Sequence, residues 1–255
     1  MKNTSGWNEW AQHRASLYIG CSSNCRYCFA RCEATRFKRV LNAEAWRHPV
    51  LNEKAAAVRW TKRAGVVAFP GAHDITLETV VQCRAYLERI LQAGNQVLIV
   101  TKPRAACVHH LATHLRPWRE QIEWRLTITA RDGELLRYWE PGASSYAERL
   151  EALYDVFNAG YRASVSVEPC LDPDDLPGMV GDLVRAGPLA SIWIGKMNQI
   201  RRRVKIETPE DRRQVERIEA GQTDARILEL VEALRGNGLI LWKDSIQQVI
   251  DRHQG

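Results

Sequence analysis

The sequence predicts an α/β fold built on a parallel sheet with right-handed crossovers, and three observations predict it. Apolar strand-like runs alternate with amphipathic stretches along the chain. Each run is rich in Val, Ile, Leu or Thr and ends at Gly, Pro or a polar residue. The helical stretches stop at glycines. Leu77–Leu91 carries an apolar stripe and stops at Gly94; Tyr146–Phe157 does the same and stops at Gly160. Six or seven such units make either an open or partial barrel related to the (β/α)8 barrel or a flat doubly wound sheet. Both place chemistry at the carboxyl ends of the strands.

The strand ends are polar. The first candidate, Ser16–Gly20, runs into a cysteine-rich loop. Val66–Pro70 leads to His73 and Asp74, and Gln96–Thr101 to Lys102. Trp124–Thr129 carries Thr127 and Thr129, and Ala163–Glu168 leads to Pro169 and Cys170. Ser191–Gly195 is followed by Lys196, Met197 and Asn198, and a short last candidate is Leu239–Trp242. If the strands are parallel, these groups share one rim. Ser144 and Ser145 are N-cap candidates for the helix at Tyr146, with Glu148 completing a capping box. Residues 1–200 read as the barrel with its cysteine loop. Residues 201–255 read as a basic loop and helices packed on it. The stretch Arg201–Arg217 holds seven Lys/Arg and four Asp/Glu. It enters a helix near Thr208-Pro209-Glu210, where Thr caps and Pro takes the first helical position.

Composition bounds the function. The chain has 255 residues, 45% hydrophobic and 26% charged, which excludes collagen, low-complexity disorder and a coiled coil. No apolar run approaches the roughly 18–20 residues that span a bilayer, and the first residues carry no apolar leader. A cytoplasmic protein with no membrane partner is expected. The net charge of +6 permits a polyanionic partner without demanding one. Seven cysteines, an odd number, are not expected to form structural disulfides in a reducing compartment.

Four of those cysteines, Cys21, Cys25, Cys28 and Cys32, fall within twelve residues. The first three are spaced C-x3-C-x2-C. Three thiolates this close wrap one face of a cubic iron–sulfur cluster and leave the fourth iron open to a small molecule. Structural zinc usually pairs two knuckles a dozen or more residues apart, and no second pair follows here. Cys32 lies one helical turn after Cys28 and reads as a packing residue.

This spacing, with the aromatic Tyr27 before the last cysteine, resembles the radical S-adenosylmethionine (SAM) enzymes. The similarity covers most of residues 15–200. Phe69-Pro-Gly-Ala-His-Asp-Ile-Thr, Leu98-Ile-Val-Thr-Lys-Pro, Trp139-Glu-Pro-Gly-Ala-Ser-Ser, Ser166-Val-Glu-Pro and Ile192-Trp-Ile-Gly-Lys-Met-Asn look like the branch related to spore photoproduct lyase, often labelled DNA-repair-photolyase-like. The resemblance implies a partial (β/α)6 TIM-type barrel with a C-terminal helical extension. It implies a 4Fe–4S cluster on Cys21, Cys25 and Cys28, with SAM on the open iron. Reductive cleavage of SAM to a 5′-deoxyadenosyl radical, which takes hydrogen from a substrate, would follow. The electron would come from an external one-electron donor of flavodoxin or ferredoxin type.

Residue by residue, Lys102 matches the lysine that meets the SAM carboxylate, and Thr127 a serine that faces SAM. His73 and Asp74 lie where the SAM amino group is received. Glu168 is a rim candidate for the ribose or a substrate donor. Each has a plainer alternative: an exposed lysine, caps for a helix starting near Thr76, an internal ion pair. Tyr27 and Cys170 are the catalytic candidates, with Cys170 read either as a hydrogen-atom donor from another strand end or, more plainly, as a buried cysteine. Two departures matter. Phe69–Asp74 holds no cysteine, and Phe29 stands where the lyase has a tyrosine after the third cluster cysteine. Repair of the spore thymine lesion by the lyase's own route is therefore not expected. Nucleic acid is one substrate expectation, resting on the basic run Arg201-Arg202-Arg203-Val204-Lys205; a peptide, cofactor precursor or small metabolite is the other. A non-catalytic iron–sulfur or zinc protein that binds nucleic acid is the alternative class.

Overall fold

The structure is a computed structural model that describes residues 6–254. Its strands are β1 (His13–Arg14), β2 (Tyr18–Ile19), β3 (Val50–Leu51), β4 (Val66–Phe69), β5 (Gln96–Thr101), β6 (Ile122–Thr127), β7 (Arg162–Val167), β8 (Ile192–Ile194) and β9 (Ile240–Trp242). Its helices are α1 (Phe29–Arg36), α2 (Glu53–Ala56), α3 (Val80–Gln92), α4 (Ala105–His114), α5 (Gly133–Trp139), α6 (Tyr146–Asn158), α7 (Leu176–Ala186), α8 (Ile200–Arg203), α9 (Pro209–Gly221), α10 (Asp224–Ala233) and α11 (Asp244–Gln254).

Seven strands form one parallel sheet in the order β1-β4-β5-β6-β7-β8-β9, with β1 and β9 as its two unjoined edges. The fold is thus an open, partial barrel, and the β-α-β order read from the sequence is the order observed. The register aligns the strand ends: Phe69 sits beside Ile99, Thr101 beside Leu126, Thr127 beside Ser166 and Val167 beside Ile194. Alternation sorts the side chains. Val97 and Ile99, Trp124 and Leu126, Val165 and Val167, and Ile192 and Ile194 pack beneath the helices in the main core. Lys102, Arg125, Thr127, Ser164 and Ser166 belong to the other face, which is why so many buried polar groups share one side of the sheet.

The first strand is a correction. Ser16–Gly20 does not join the main sheet. Its centre, β2, pairs antiparallel with β3 in a separate two-stranded sheet, and β1 takes the edge beside β4. Helix α3 starts at Val80 rather than Leu77, because Thr76 and Thr79 form a side-chain turn ahead of it, so Leu77 is exposed. Ser145 caps α6, but the carboxylate of Glu148 turns to the Ala105 N–H (3.3 Å), leaving the capping box half made. Past residue 200, α9 begins with a complete Thr208–Asp211 capping box, and the segment also supplies strand β9 and core residues Ile246 and Val249.

The gap between the sheet edges is bridged by the N-terminal segment. The fully buried ammonium of Lys243, just after β9, donates to the Gly6 carbonyl (2.8 Å) and pairs with Glu9 (2.9 Å), while the Asp244 N–H donates to Glu9 (3.0 Å). Trp10 lies under that ammonium at 4.0 Å and meets Trp193 of β8 edge-on. Among the described residues, no helix is long and apolar enough to cross a membrane.

Candidate functional site

The cysteine loop is held by close backbone contact. Gly20 has φ +102°, and a Cβ there would meet the Trp46 carbonyl at 2.8 Å, so only glycine fits. The Cys21 N–H donates to that same carbonyl at 2.7 Å. From the other side, the Arg26 N–H donates to the Trp139 carbonyl (2.8 Å) and the Gly142 N–H to the Ser23 carbonyl (3.1 Å). Cys28 caps α1, its Sγ accepting from the Arg31 N–H at 3.4 Å. A Cβ at Gly142 would sit 2.0 Å from the Ser22 carbonyl. Gly142→Ala is therefore expected to push the loop off its seat and cost about 1–3 kcal/mol. Urea unfolding would read this, and an unchanged midpoint would mean the clamp is slack.

Cys21, Cys25 and Cys28 all line one cleft of about 800 Å3 at the carboxyl ends of the strands, and no other cysteine lines it among the described residues. Burial pushes the Cys21 thiol up to about 12, helped by the Asp74 charge, and it raises Cys25 and Cys28 too, against the pull of Lys102. Thiols in such a place ionise only with a strong cation beside them. Among the described residues, no three His, Cys, Asp or Glu groups converge as a single metal ion requires. A cluster spreads its ligands over separate irons and suits three thiols along a loop. Cys32 points elsewhere, with its Sγ 3.6 Å from the Arg203 carbonyl.

The cleft also gathers His73, Asp74, Lys102, Thr127 and Glu168. His73 is committed to backbone. Its Nε2 accepts from the Leu17 N–H (3.1 Å), and its Nδ1 donates to the Asp74 carbonyl (2.9 Å). Burial pushes its pKa down to about 4, so it is neutral and anchors the turn that carries Asp74. Asp74 accepts from the Lys102 N–H (2.8 Å) and the Thr101 hydroxyl (3.1 Å), and its own N–H donates to Cys21 Sγ (3.3 Å). Burial works against its charge, but Lys102 outweighs it and the carboxyl stays below its usual range.

Lys102 is the conspicuous cation. Its Nζ stands 5.7 Å from the centre of the Tyr27 ring and has no hydrogen-bond or ion-pair partner among the described residues. Burial opposes its charge, yet Cys25, Asp74 and Glu140 together raise its pKa above the ordinary lysine value. Glu168 pairs with Lys243 at 3.5 Å while still facing the cleft; burial raises its pKa against that ammonium.

The two catalytic candidates are placed differently. Cys170 is buried in the main core, outside the cleft lining, so the sequence-based role as a cleft-facing donor does not match its position. Tyr27 lines the cleft with its ring, but its hydroxyl is spent on Glu140. That carboxylate also accepts from Thr129 (2.9 Å) and pairs with Arg149, both charges fully buried. Arg149 donates onward to the carbonyls of Ser144 (3.1 Å) and Thr127 (3.3 Å). The pair therefore ties Tyr27 and Thr127 together from behind. Glu140 stood in the sequence as part of a recognisable motif without a role, and Arg149 was given none. Ser166, Trp7, Trp10, Lys196 and Arg203 also line the cleft.

The basic stretch is largely neutralised. Arg201 pairs with Glu219, Arg213 with Glu210 and Arg217 with Asp172, while Lys205 lies 3.9 Å from Glu207. Arg202, Arg203 and Arg212 make no ion pair among the described residues, and Arg203 lines the cleft.

No protein-family model and no curated protein matches the chain. Solved structures do. A cysteine-to-serine mutant of spore photoproduct lyase aligns with TM-score 0.55 and 17% identity over 86% of this chain and 62% of that one. A cysteine-to-alanine mutant with dinucleoside spore photoproduct aligns with TM-score 0.51 and 17% identity over 82% and 61%. A tyrosine-to-phenylalanine mutant gives 0.51 and 16% over 95% and 74%. This chain thus spans about 62% of the length of the lyase in the first of these. The cysteine motif and the fold point the same way, and the chain has the fold of spore photoproduct lyase.

Proposed function

We propose that this chain is a radical SAM enzyme. The observation that carries the reading is that the C-x3-C-x2-C thiols and the unpartnered Lys102 ammonium line one cleft. Cys21, Cys25 and Cys28 would hold a 4Fe–4S cluster. When bound, the cluster supplies one electron that cleaves SAM, and the resulting adenosyl radical takes a hydrogen atom from a substrate. The chain's own share is to bind, orient and exclude water. Lys102 supplies the cation for the SAM carboxylate, Asp74 an acceptor for its ammonium, and Thr127 a hydroxyl on the adjoining strand end. Glu168, Lys196 and Arg203 lie further along the cleft and would face substrate.

For substrate, the likeness to a lyase structure with a dinucleoside photoproduct favours a nucleic acid, of which a base-sized part enters the cleft. The absence of a cysteine from Phe69–Asp74 argues against the lyase's own repair route, because among the described residues the cleft then holds no cysteine beyond the three proposed cluster ligands to return a hydrogen atom. A peptide or small metabolite is the alternative substrate class.

The test is anaerobic reconstitution with iron and sulfide, dithionite reduction, addition of SAM and mass spectrometry for 5′-deoxyadenosine. The expected result is 5′-deoxyadenosine from the native chain and none from the Cys21→Ala, Cys25→Ala, Cys28→Ala variant. Zinc in place of iron after oxygen-free purification would sink the reading.

A further inference from the structure

Two-thirds of the chain's net charge resides beside the cysteine loop. Residues 26–48 hold six Lys/Arg and two Asp/Glu, a balance of +4 out of +6. Many exposed cations elsewhere are paired with carboxylates. Arg36, Lys38 and Arg39 are exposed and have no acidic partner within 4.0 Å among the described residues. They surround two exposed apolar side chains, Phe37 at 57% and Leu41 at 89% exposure. Arg36 and Arg39 lie over the Phe37 ring at 5.5 and 5.8 Å. An apolar centre with a cationic rim has the make-up of a docking surface for an acidic protein.

Its position says what kind. The patch stands at the C-terminal end of α1, and Cys28 caps the other end, about 12 Å away along eight residues. Behind it, Ala34, Val40 and Trp46 pack against Cys21 and Cys28 in one small apolar cluster. None of Arg36 to Arg39 lines the cleft. A nucleic-acid substrate must enter the cleft, whereas an electron must reach the cysteines while the cleft is filled.

We infer that the Arg36–Leu41 surface is the docking site of an acidic one-electron carrier of flavodoxin or ferredoxin type. The inference rests on the radical reading above, which needs one electron from outside. That electron leaves the carrier's reduced centre and enters the cluster, with no bond made or broken.

Calorimetric titration of the anaerobically reconstituted protein with a flavodoxin, and separately with a ferredoxin, at low salt tests it. At least one carrier should bind, more weakly as salt rises. Its affinity should fall about tenfold or more in an Arg36→Glu, Lys38→Glu, Arg39→Glu variant and also in Phe37→Ala. Dithionite-driven 5′-deoxyadenosine should be unchanged in both variants, as should circular dichroism. Equal carrier affinity in native and variant chains, or no binding of either carrier, overturns the assignment. So does charge reversal that abolishes binding of a single-stranded oligonucleotide and leaves carrier binding intact. Loss of dithionite-driven product in both variants also overturns it, since the patch then serves the loop and not a donor. A native chain that makes no product with dithionite refutes the radical reading instead, and the binding titration still decides the docking surface.

Discussion

Arg149→Met is expected to cost about 3–5 kcal/mol, because it strands the buried Glu140 carboxylate without its counter-charge. Both side chains are fully buried, and the guanidinium also satisfies the carbonyls of Ser144 and Thr127. Glu140→Gln on top of it should restore part of the loss, since a neutral amide no longer demands a cation and its oxygen can still accept from Tyr27 and Thr129. Urea unfolding of the two singles and the double gives the coupling. A single variant within about 1 kcal/mol of native would mean that the pair holds little together. The same carboxyl sets an acid limit. Burial favours its neutral form, but Arg149 and Lys102 outweigh burial and hold its pKa below the usual glutamate value. Its contribution to stability is thus present above the unfolded-state pKa and lost as pH falls through the lower folded one.

Lys102→Met should weaken SAM binding while leaving the fold intact. The ammonium makes no ion pair in the described chain, so its loss strands no direct partner, although Asp74 and Glu140 lose part of the positive charge that favours their ionised forms. A charge-assisted contact to a carboxylate is worth about 1.5–3 kcal/mol, or roughly tenfold to a hundredfold in affinity. The concentration of SAM for half-maximal 5′-deoxyadenosine formation should rise by that factor, with cluster absorbance unchanged. Lys102→Arg should recover part of the loss. An unchanged SAM dependence would remove Lys102 from the binding site.

The sites that were legible in the sequence are those whose residue type is costly anywhere else. Three cysteines spaced along the loop after β2, an ammonium just past β5 and an Asp in the turn after β4 announce themselves. Strands β4 to β8 were legible because burial on both faces favours apolar residues along them. Strand β1 was not. His13 and Arg14 carry no apolar signal, and their pairing with Val67 and Ala68 is decided by register alone. The apolar run nearby, Leu17–Ile19, was taken by β3 instead. Arg149 and Lys243 were equally hidden, since a helix-borne arginine and a lysine after a strand read as solvent-facing until their buried partners are known.

The strap across the sheet edges has a consequence for biogenesis. Gly6 precedes Lys243 by 237 residues, and Glu9 precedes Asp244 by 235. Contacts of such span close the largest loops and form after the neighbour-to-neighbour strand pairings. During translation, the sheet through β8 can assemble on the ribosome while the side of the barrel between its edges stands unsealed. The cysteine loop, synthesised early, is then open, and on the radical reading proposed above it would be accessible to a supplier of iron and sulfide. The last strand both completes the sheet and fastens the strap, so that access would narrow when Lys243 meets Glu9.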